Sequence, residues 1–271
     1  MPIFKAAVIQ LNSQPDLDKN LQDIYRQIER TANSGARFIG LPENFAFMGN
    51  EKERIKQAEN IAERVEARLK AWAKEFNVTI MGGGYPVPAG EGKVYNRAII
   101  VEPDREISAQ YDKIHLFDVE LSSKESYKES DMVKSGKEVV SVKLKDPEIT
   151  AGLSICYDIR FPELYRKLAS MGSDLLCVPA AFTKPTGRAH WEVLLRARAI
   201  ENSAFVIAPA QTGKHGRKRE TYGHSMIIDP WGTILADAGT EPGMVIAEID
   251  TSLMTDVRRK LPSLKHGVFT D

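Results

Sequence analysis

Short apolar segments alternate along the chain with longer segments whose apolar residues recur every three or four positions. The short segments are typical of buried strands and cover residues 4–10, 36–43, 78–87, 94–103, 105–116, 139–145, 149–156, 174–180, 204–210, 223–229, 232–238 and 244–250. The longer periodicity predicts a helix after Asp16 and further helices over residues 55–76, 161–170 and 188–203. The polar segment 121–137 is predicted to be a loop.

Most of the predicted helices lie in the intervals between predicted strands, and strands outnumber helices. This order favours an α/β fold built in layers. No low-complexity linker, charge block or internal repeat is visible, so we interpret residues 1–271 as a single domain. A cluster of three glycines, residues 82–84, interrupts one predicted strand. It indicates a bulge where the backbone passes close to another part of the molecule.

The composition narrows the class of protein. Lys plus Arg equals Asp plus Glu at 37 each, which argues against a nucleic-acid or membrane-surface role because both need a basic excess. No apolar segment is long enough to span a bilayer, and the start of the chain lacks the pattern of a signal peptide. The two cysteines suit a reducing compartment, so we expect a cytoplasmic protein.

Cys156 lies where a predicted strand, residues 149–156, gives way to a predicted helix. The first amide groups of a helix lack internal partners and favour negative charge, which lowers the pKa of a thiol placed there. Position alone leaves two interpretations open, a reactive nucleophile or a buried structural cysteine. Cys177 lies inside an apolar strand and is interpreted as a core residue.

Two more charged residues close predicted strands. Glu43 follows the strand in "FIGLPENF", and Lys113 follows the strand in "QYDKIHLF". Each could simply be the first solvated residue after its strand. Together with Cys156 they form a complete catalytic set, because a carboxylate can move the proton, a cation can hold an oxyanion and a thiol can attack.

The segments "GLPENF", "YDKIHLF" and "SICYDIRFPE" resemble the glutamate, lysine and cysteine motifs of the nitrilase superfamily, the carbon–nitrogen hydrolases. "PAAFTKPTGRAHWEVLLRARAIEN" and "GHSMIIDPWG" resemble segments that follow in its amidase branches. The resemblance extends over nearly the whole chain, and the three motifs occur in the family's order. It therefore favours the nucleophile interpretation of Cys156.

The resemblance implies an α/β fold of the four-layer α-β-β-α sandwich type that dimerises through helices. It implies Glu43, Lys113 and Cys156 as catalytic residues of an amidase that forms a thioester and needs no metal or organic cofactor. A second glutamate is expected in the loop after the lysine, with Glu129 preferred and Glu125 close by. The amide N–H of Tyr157 is expected to assist Lys113 at the oxyanion.

The resemblance also narrows the substrate to a small amide. Tyr157 and Asp158 follow the cysteine, as in amidases, where true nitrilases usually have Trp-Glu. Segment 213–232 resembles the branch that hydrolyses deaminated glutathione more than the ω-amidase branch that hydrolyses α-ketoglutaramate. We therefore predict deaminated glutathione as the preferred substrate, with α-ketoglutaramate, a broad aliphatic amide or a nitrile as alternatives.

Candidate substrate-binding residues follow the cysteine and the next predicted strand. Arg160, Phe182 and Thr183 are expected to line the pocket, although ordinary packing could explain each of them. Arg188 and the basic run over residues 214–219 are further candidates for binding a carboxylate. Two other classes stay open at this point, a thiol protease with an essential histidine and a non-catalytic protein that retained the fold.

Overall fold

Two six-stranded sheets form the centre of the computed structural model, which describes residues 3–104, 107–122, 125–216 and 219–268. The strand order of the first sheet is β16 (Gly243–Asp250), β1 (Ile3–Gln10), β2 (Ala36–Gly40), β3 (Thr79–Gly90), β4 (Lys93–Val101) and β5 (Ile107–Asp112). That of the second is β15 (Ile234–Asp237), β14 (Met226–Ile228), β11 (Phe205–Ala208), β10 (Leu175–Cys177), β9 (Thr150–Leu153) and β8 (Ser141–Lys143).

Helices cover the outer face of each sheet. Helices α1 (Leu17–Asn33) and α3 (Ala58–Phe76) pack on the first sheet, and α4 (Pro162–Ser170) and α5 (Lys184–Asn202) pack on the second. Strand β1 contacts β11 and β14, so the inner faces of the two sheets meet. The α/β fold is thus the four-layer α-β-β-α sandwich that the resemblance implied.

Strand β1 shows why the predicted strands are almost continuously apolar. Successive side chains of a strand point to opposite faces of the sheet. Ala6 and Val8 belong to the core that the two sheets share, whereas Ala7 and Ile9 belong to the core beneath α1 and α3. Both faces are buried, so both sets of positions must be apolar.

Local signals in the sequence account for several helix ends. The Asp16 side chain accepts a hydrogen bond from the Lys19 amide and caps α1. Pro162 occupies the first turn of α4, where a missing N–H costs nothing. Asn77 ends α3 in the left-handed conformation, with φ of 51°. Within the described segments, no helix is both long and apolar enough to cross a membrane.

The structure corrects several predicted elements. Segment 121–137 is not one loop, because β6 (Asp118–Ser122) pairs with β7 (Glu125–Lys128) and a 3₁₀ turn, Glu129–Asp131, follows. The predicted helix over residues 55–76 is divided into α2 (Glu51–Lys56) and α3. The predicted strand 149–156 ends at Leu153. Two elements were missed, helix α6 (Thr251–Lys260) and a hairpin of β12 (Thr212–His215) with β13 (Arg219–Tyr222).

Candidate active site

Three predicted residues meet at one edge of the sandwich. Glu43 follows β2, Lys113 follows β5 and Cys156 follows β9, so both sheets contribute to the site. All three line one cavity of about 120 Å³ that opens to solvent. The convergence that their positions after strands suggested is therefore present in three dimensions.

Glu43 is buried, at 3% exposure, and its two carboxylate oxygens have different partners. Oε1 accepts a hydrogen bond from Asn96 Nδ2 at 2.8 Å and lies 3.3 Å from Lys113 Nζ. Oε2 accepts a hydrogen bond from the amide of Ala181 at 2.9 Å. Donors thus hold the carboxylate in one orientation, as a positioned base requires.

The charge state of Glu43 follows from opposing effects. Burial raises the pKa of this carboxyl group, but Lys113 and Arg219 lower it, and so do the interactions with Cys156 and Asn96. The net pKa lies below the ordinary value of 4.5. Glu43 is therefore an anion at neutral pH and can accept a proton.

Lys113 is a fixed cation between two carboxylates. Its Nζ lies 2.8 Å from Glu129 Oε2, in addition to its contact with Glu43. Burial lowers the pKa of Lys113, but Glu129, Glu43 and Cys156 together raise it by a larger amount. The net pKa therefore lies above its ordinary value. Glu129 also accepts a hydrogen bond from the Phe117 amide at 2.7 Å, which fixes its carboxylate against the chain after β5.

Cys156 begins a short 3₁₀ turn, Cys156–Arg160, and has a φ of 49°. A non-glycine residue in this left-handed region is strained and is found at functional sites more often than elsewhere. Its own amide donates to the Pro179 carbonyl at 2.9 Å. The Tyr157 amide donates no hydrogen bond to any described residue.

The predicted lowering of the Cys156 pKa is wrong. Burial raises the pKa of this thiol, Glu43 raises it further, and the opposing effects of Lys113 and the Ala181 amide are smaller. The prediction relied on helix amides alone, whereas a 3₁₀ turn precedes α4 and a carboxylate lies beside the thiol. Cys156 is thus a thiol at neutral pH, next to an ionised acceptor for its proton.

Comparison with known proteins decides the family. The carbon-nitrogen hydrolase family model matches residues 5–259. The chain belongs to the carbon–nitrogen hydrolase family. It is 52% identical to the deaminated glutathione amidase of Synechocystis, over 99% of this chain and 100% of that protein. The mouse deaminated glutathione amidase is 38% identical, over 96% of this chain and 82% of that protein.

The fold agrees with this assignment. The crystal structure of the C. elegans NitFhit protein superimposes on 98% of this chain and 65% of that chain, with a TM-score of 0.92 and 40% sequence identity. A second structure, Nit3 of Saccharomyces cerevisiae, is described as a member of branch 10 of the nitrilase superfamily. It matches with a TM-score of 0.84 and 30% identity, over 96% of this chain and 94% of that one.

Asp158 links the lysine and cysteine segments of this carbon–nitrogen hydrolase. It is completely buried. Its Oδ2 accepts hydrogen bonds from the Ile155 amide at 2.8 Å and the Tyr111 hydroxyl at 2.7 Å. Its Oδ1 accepts one from the His115 amide at 3.0 Å. The sequence marked Asp158 only as part of an amidase-like pair, and its role as the anchor of the turn was missed.

Asn96 on β4 was also missed. Its position explains why residue 84 in the glycine cluster has no side chain. Its Nδ2 donates to Glu43 and lies 3.5 Å from Glu129 Oε1. A Cβ at Gly84 would collide with Asn96 Oδ1, and a Cβ at Gly83 would collide with the Pro42 carbonyl. The register of β3 shifts at this point, so the predicted bulge and close approach are confirmed. The glycines let the Glu43 loop sit directly on β3.

The predicted substrate-binding residues of the hydrolase differ in their position relative to the cavity. Tyr157, Phe182 and Thr183 line the cavity. Arg160 lies beside it, with its guanidinium carbon 5.2 Å from the centre of the Phe182 ring and 5.7 Å from that of Tyr157. Arg188 is exposed on α5 and is not among the lining residues.

The basic run over residues 214–219 contributes one lining residue. Arg219 lines the cavity, and its Nη2 donates to the Ala181 carbonyl at 3.2 Å. Lys214 is exposed, and His215 is buried against Ser13 and Thr221. Arg217 and Lys218 lie outside the described residues.

The positions of the histidines and of possible metal ligands bear on other chemistries. All five histidines fall in described segments, and none of them lines the cavity. Among the residues that the structure describes, no group of three or more His, Cys, Asp or Glu side chains is arranged to hold a metal ion. The polar groups that line the cavity include a carboxylate, an ammonium and a thiol, which amide hydrolysis through a thioester needs.

Proposed function

We propose that this hydrolase cleaves the amide bond of deaminated glutathione through a thioester on Cys156. In this substrate a keto-acid group replaces the amino-acid end of glutathione, and the amide joins it to Cys-Gly. The observation that carries the proposal is the buried contact between ionised Glu43 and Lys113 beside the Cys156 thiol. The names of the Synechocystis and mouse relatives support the choice of substrate.

The first half of the reaction forms the thioester. Glu43 takes the thiol proton while Cys156 Sγ attacks the amide carbon, and the carbonyl oxygen becomes an oxyanion. Lys113 Nζ and the Tyr157 amide stabilise that oxyanion. Glu43 then gives its proton to the amide nitrogen, the C–N bond breaks, and Cys-Gly leaves as an amine.

The second half releases the acid. Glu43 takes a proton from a water molecule, and the resulting hydroxide attacks the thioester carbon. The same two donors stabilise the second oxyanion. The C–S bond then breaks and the thiolate recovers its proton from Glu43. The new carboxylic acid loses its proton to solvent, so the keto acid leaves as a dicarboxylate. Glu129 holds Lys113 in place through both halves and does not contact the reacting atoms.

A rate measurement with three substrates tests this proposal. We expect kcat/KM for deaminated glutathione to exceed that for α-ketoglutaramate by about tenfold or more, because an additional charged contact is worth roughly 1.5–3 kcal/mol. A simple nitrile should react most slowly. Equal or higher kcat/KM on α-ketoglutaramate would assign the protein to the ω-amidase branch. Absence of turnover with every amide would favour the non-catalytic alternative.

We also propose that the hydrolase forms a homodimer or a larger symmetric homo-oligomer. Trp191 does not support this, because it is fully buried. Support comes instead from Val193 and Ile200 on α5, which are 68% and 51% exposed, and from Trp231, which is 57% exposed. Light scattering at micromolar concentration tests the dimer, and a mass near 30.2 kDa would contradict it.

We also propose that residues 1–271 form one domain and that the enzyme is cytoplasmic. One domain over residues 1–271 is supported by the contribution of both sheets to one site. The cytoplasm suits an enzyme whose nucleophile must stay a free thiol. Fractionation of the source cells with a redox-sensitive label on Cys156 tests the compartment.

A further inference from the structure

Arg54 on helix α2 is a buried arginine in the wall of the active-site cavity. It is 5% exposed and lines the same cavity as Glu43 and Cys156. Its Nη1 lies 3.4 Å from Glu51 Oε2, the one ion pair found for it among the described residues. Its Nε and Nη2 are enclosed and have no hydrogen-bond partner within the described structure.

The two unpartnered atoms of Arg54 have a specific geometry. Nε–H and Nη2–H point in parallel from one edge of the guanidinium, and this edge matches the two oxygens of a carboxylate. Leaving such donors buried without acceptors is costly. The long contact with Glu51, whose side chain is 46% exposed, occupies the other side of the group. The vacant edge therefore calls for an anionic acceptor.

Other charges around the cavity point the same way. Four basic side chains line it, Arg54, Lys113, Lys128 and Arg219, against three acidic ones, Glu43, Glu51 and Glu129. Two of those carboxylates are held by Lys113. Arg219 contributes a third enclosed and unpartnered nitrogen, its Nε. The cavity lining thus has one more basic than acidic side chain, and Arg54 and Arg219 carry unfilled donors.

We propose that Arg54 binds a carboxylate of the substrate through its Nε and Nη2 atoms. The inference rests on the proposed function, because it assigns a specificity-determining residue to the same site. The enclosed edge turns toward the cavity as the ligand enters, and the loose contact with Glu51 permits that movement. A carboxylate of deaminated glutathione, either at the keto-acid end or at the glycine end, is the expected partner.

Kinetics of Arg54→Met with three substrates test this contact. We expect kcat/KM on deaminated glutathione to fall by about 10- to 100-fold, mainly through KM, the size of a lost hydrogen-bonded charge. An equal fall on α-ketoglutaramate assigns the keto-acid carboxylate, and no fall there assigns the glycine carboxylate. With 4-oxopentanamide, which has no carboxylate, the rate should not change. Equal losses on all three substrates, or none, would overturn the inference.

Two matched variants control this experiment. Lys56→Met removes an exposed cation from the same helix and should leave all three rates unchanged. Arg54→Lys keeps the charge but loses the paired donors, so it should recover only part of the lost kcat/KM. A full recovery with lysine would show that general positive charge, and not the paired donors, matters.

Binding to an inactive enzyme separates this inference from the proposed function. Calorimetry would compare the affinity of Cys156→Ala for deaminated glutathione and for α-ketoglutarate with that of the Cys156→Ala, Arg54→Met double variant. We expect a loss of about tenfold or more for at least one ligand, whether or not the native enzyme turns either substrate over. Equal affinities, or no measurable binding to either protein, would overturn the role of Arg54 even if deaminated glutathione is hydrolysed.

Discussion

Cys156 and Cys177 are two buried thiols on neighbouring parts of one sheet, and they differ in almost everything that determines reactivity. Cys177 ends β10 and pairs with Leu153 of β9, three residues before Cys156. Burial is the cause of the raised pKa of Cys177. Burial also raises the pKa of Cys156, but there Glu43 raises it further and Lys113 lowers it. The comparison teaches that enclosure alone makes a thiol inert, and that a base and a cation beside it supply the chemistry.

The largest expected difference is in turnover. Cys156→Ala should lower kcat by a factor of order 10⁴ or more, because the covalent nucleophile is lost. Glu43→Gln and Lys113→Ala should do comparable damage, since the three residues act as a unit. Cys177→Ala should retain near wild-type turnover. Steady-state assays on deaminated glutathione measure all four, and about a tenth of the wild-type rate left in Cys156→Ala would contradict the assignment.

Alkylation should separate the two thiols next. We expect iodoacetamide to label Cys156 in the folded protein and to leave Cys177 unlabelled, because Cys156 faces the cavity and Cys177 is fully buried. Glu43→Gln should slow the labelling of Cys156 by about 10²-fold, the usual size of a lost general base. Peptide mass spectrometry after timed labelling measures both rates. Faster labelling of Cys177 than of Cys156 would reverse the comparison.

The pH profile should sharpen the roles of thiol and base. Glu43 acts as a carboxylate and its pKa is lowered, so kcat/KM should fall only as the pH drops below 4.5, its ordinary value. The Cys156 pKa is raised, so an alkaline change should appear only above 9.0. Between these limits kcat/KM should be nearly constant. A titration centred near neutral pH would mean that another group, such as a histidine, controls the reaction.

The smallest effect should be on stability. Cys177→Ala removes a sulfur from a closed core and should lower the free energy of unfolding by about 1–2 kcal/mol. Cys156→Ala should lower it less, because the thiol lies at a cavity wall and its backbone is strained. Urea unfolding of both variants provides the measurement. A larger loss for Cys156→Ala would show that its thiol has a structural role.

The proposed catalytic residues could be identified as candidates because their signals are local. Glu43, Lys113 and Cys156 each follow an apolar strand, and this position alone made them candidates before any family was considered. The resemblance then added Glu129 and the Tyr157 amide. The layered fold was equally accessible, since strands that are apolar at every position must be covered on both faces.

The supporting residues were inaccessible because their partners are distant in the sequence. Asp158 meets Tyr111 and His115, and Asn96 meets Glu43 across the first sheet. Arg54 lies just before the predicted helix 55–76, and nothing near it in the chain indicates that its guanidinium is enclosed. The raised pKa of Cys156 depends on burial and on Glu43, more than a hundred residues earlier, so a prediction from local position had the wrong sign.

The division of the catalytic set between two sheets also has a consequence for folding. Glu43 and Lys113 follow strands of the first sheet, and Cys156 follows a strand of the second. Neither sheet alone can therefore bring the thiol together with its carboxylate and its cation. Catalytic activity is therefore a direct reporter of sheet docking. After dilution from denaturant, helical circular dichroism can return as soon as each half acquires its helices, whereas turnover must wait until the inner faces close. A refolding intermediate with separate halves would be spectroscopically ordered and catalytically silent.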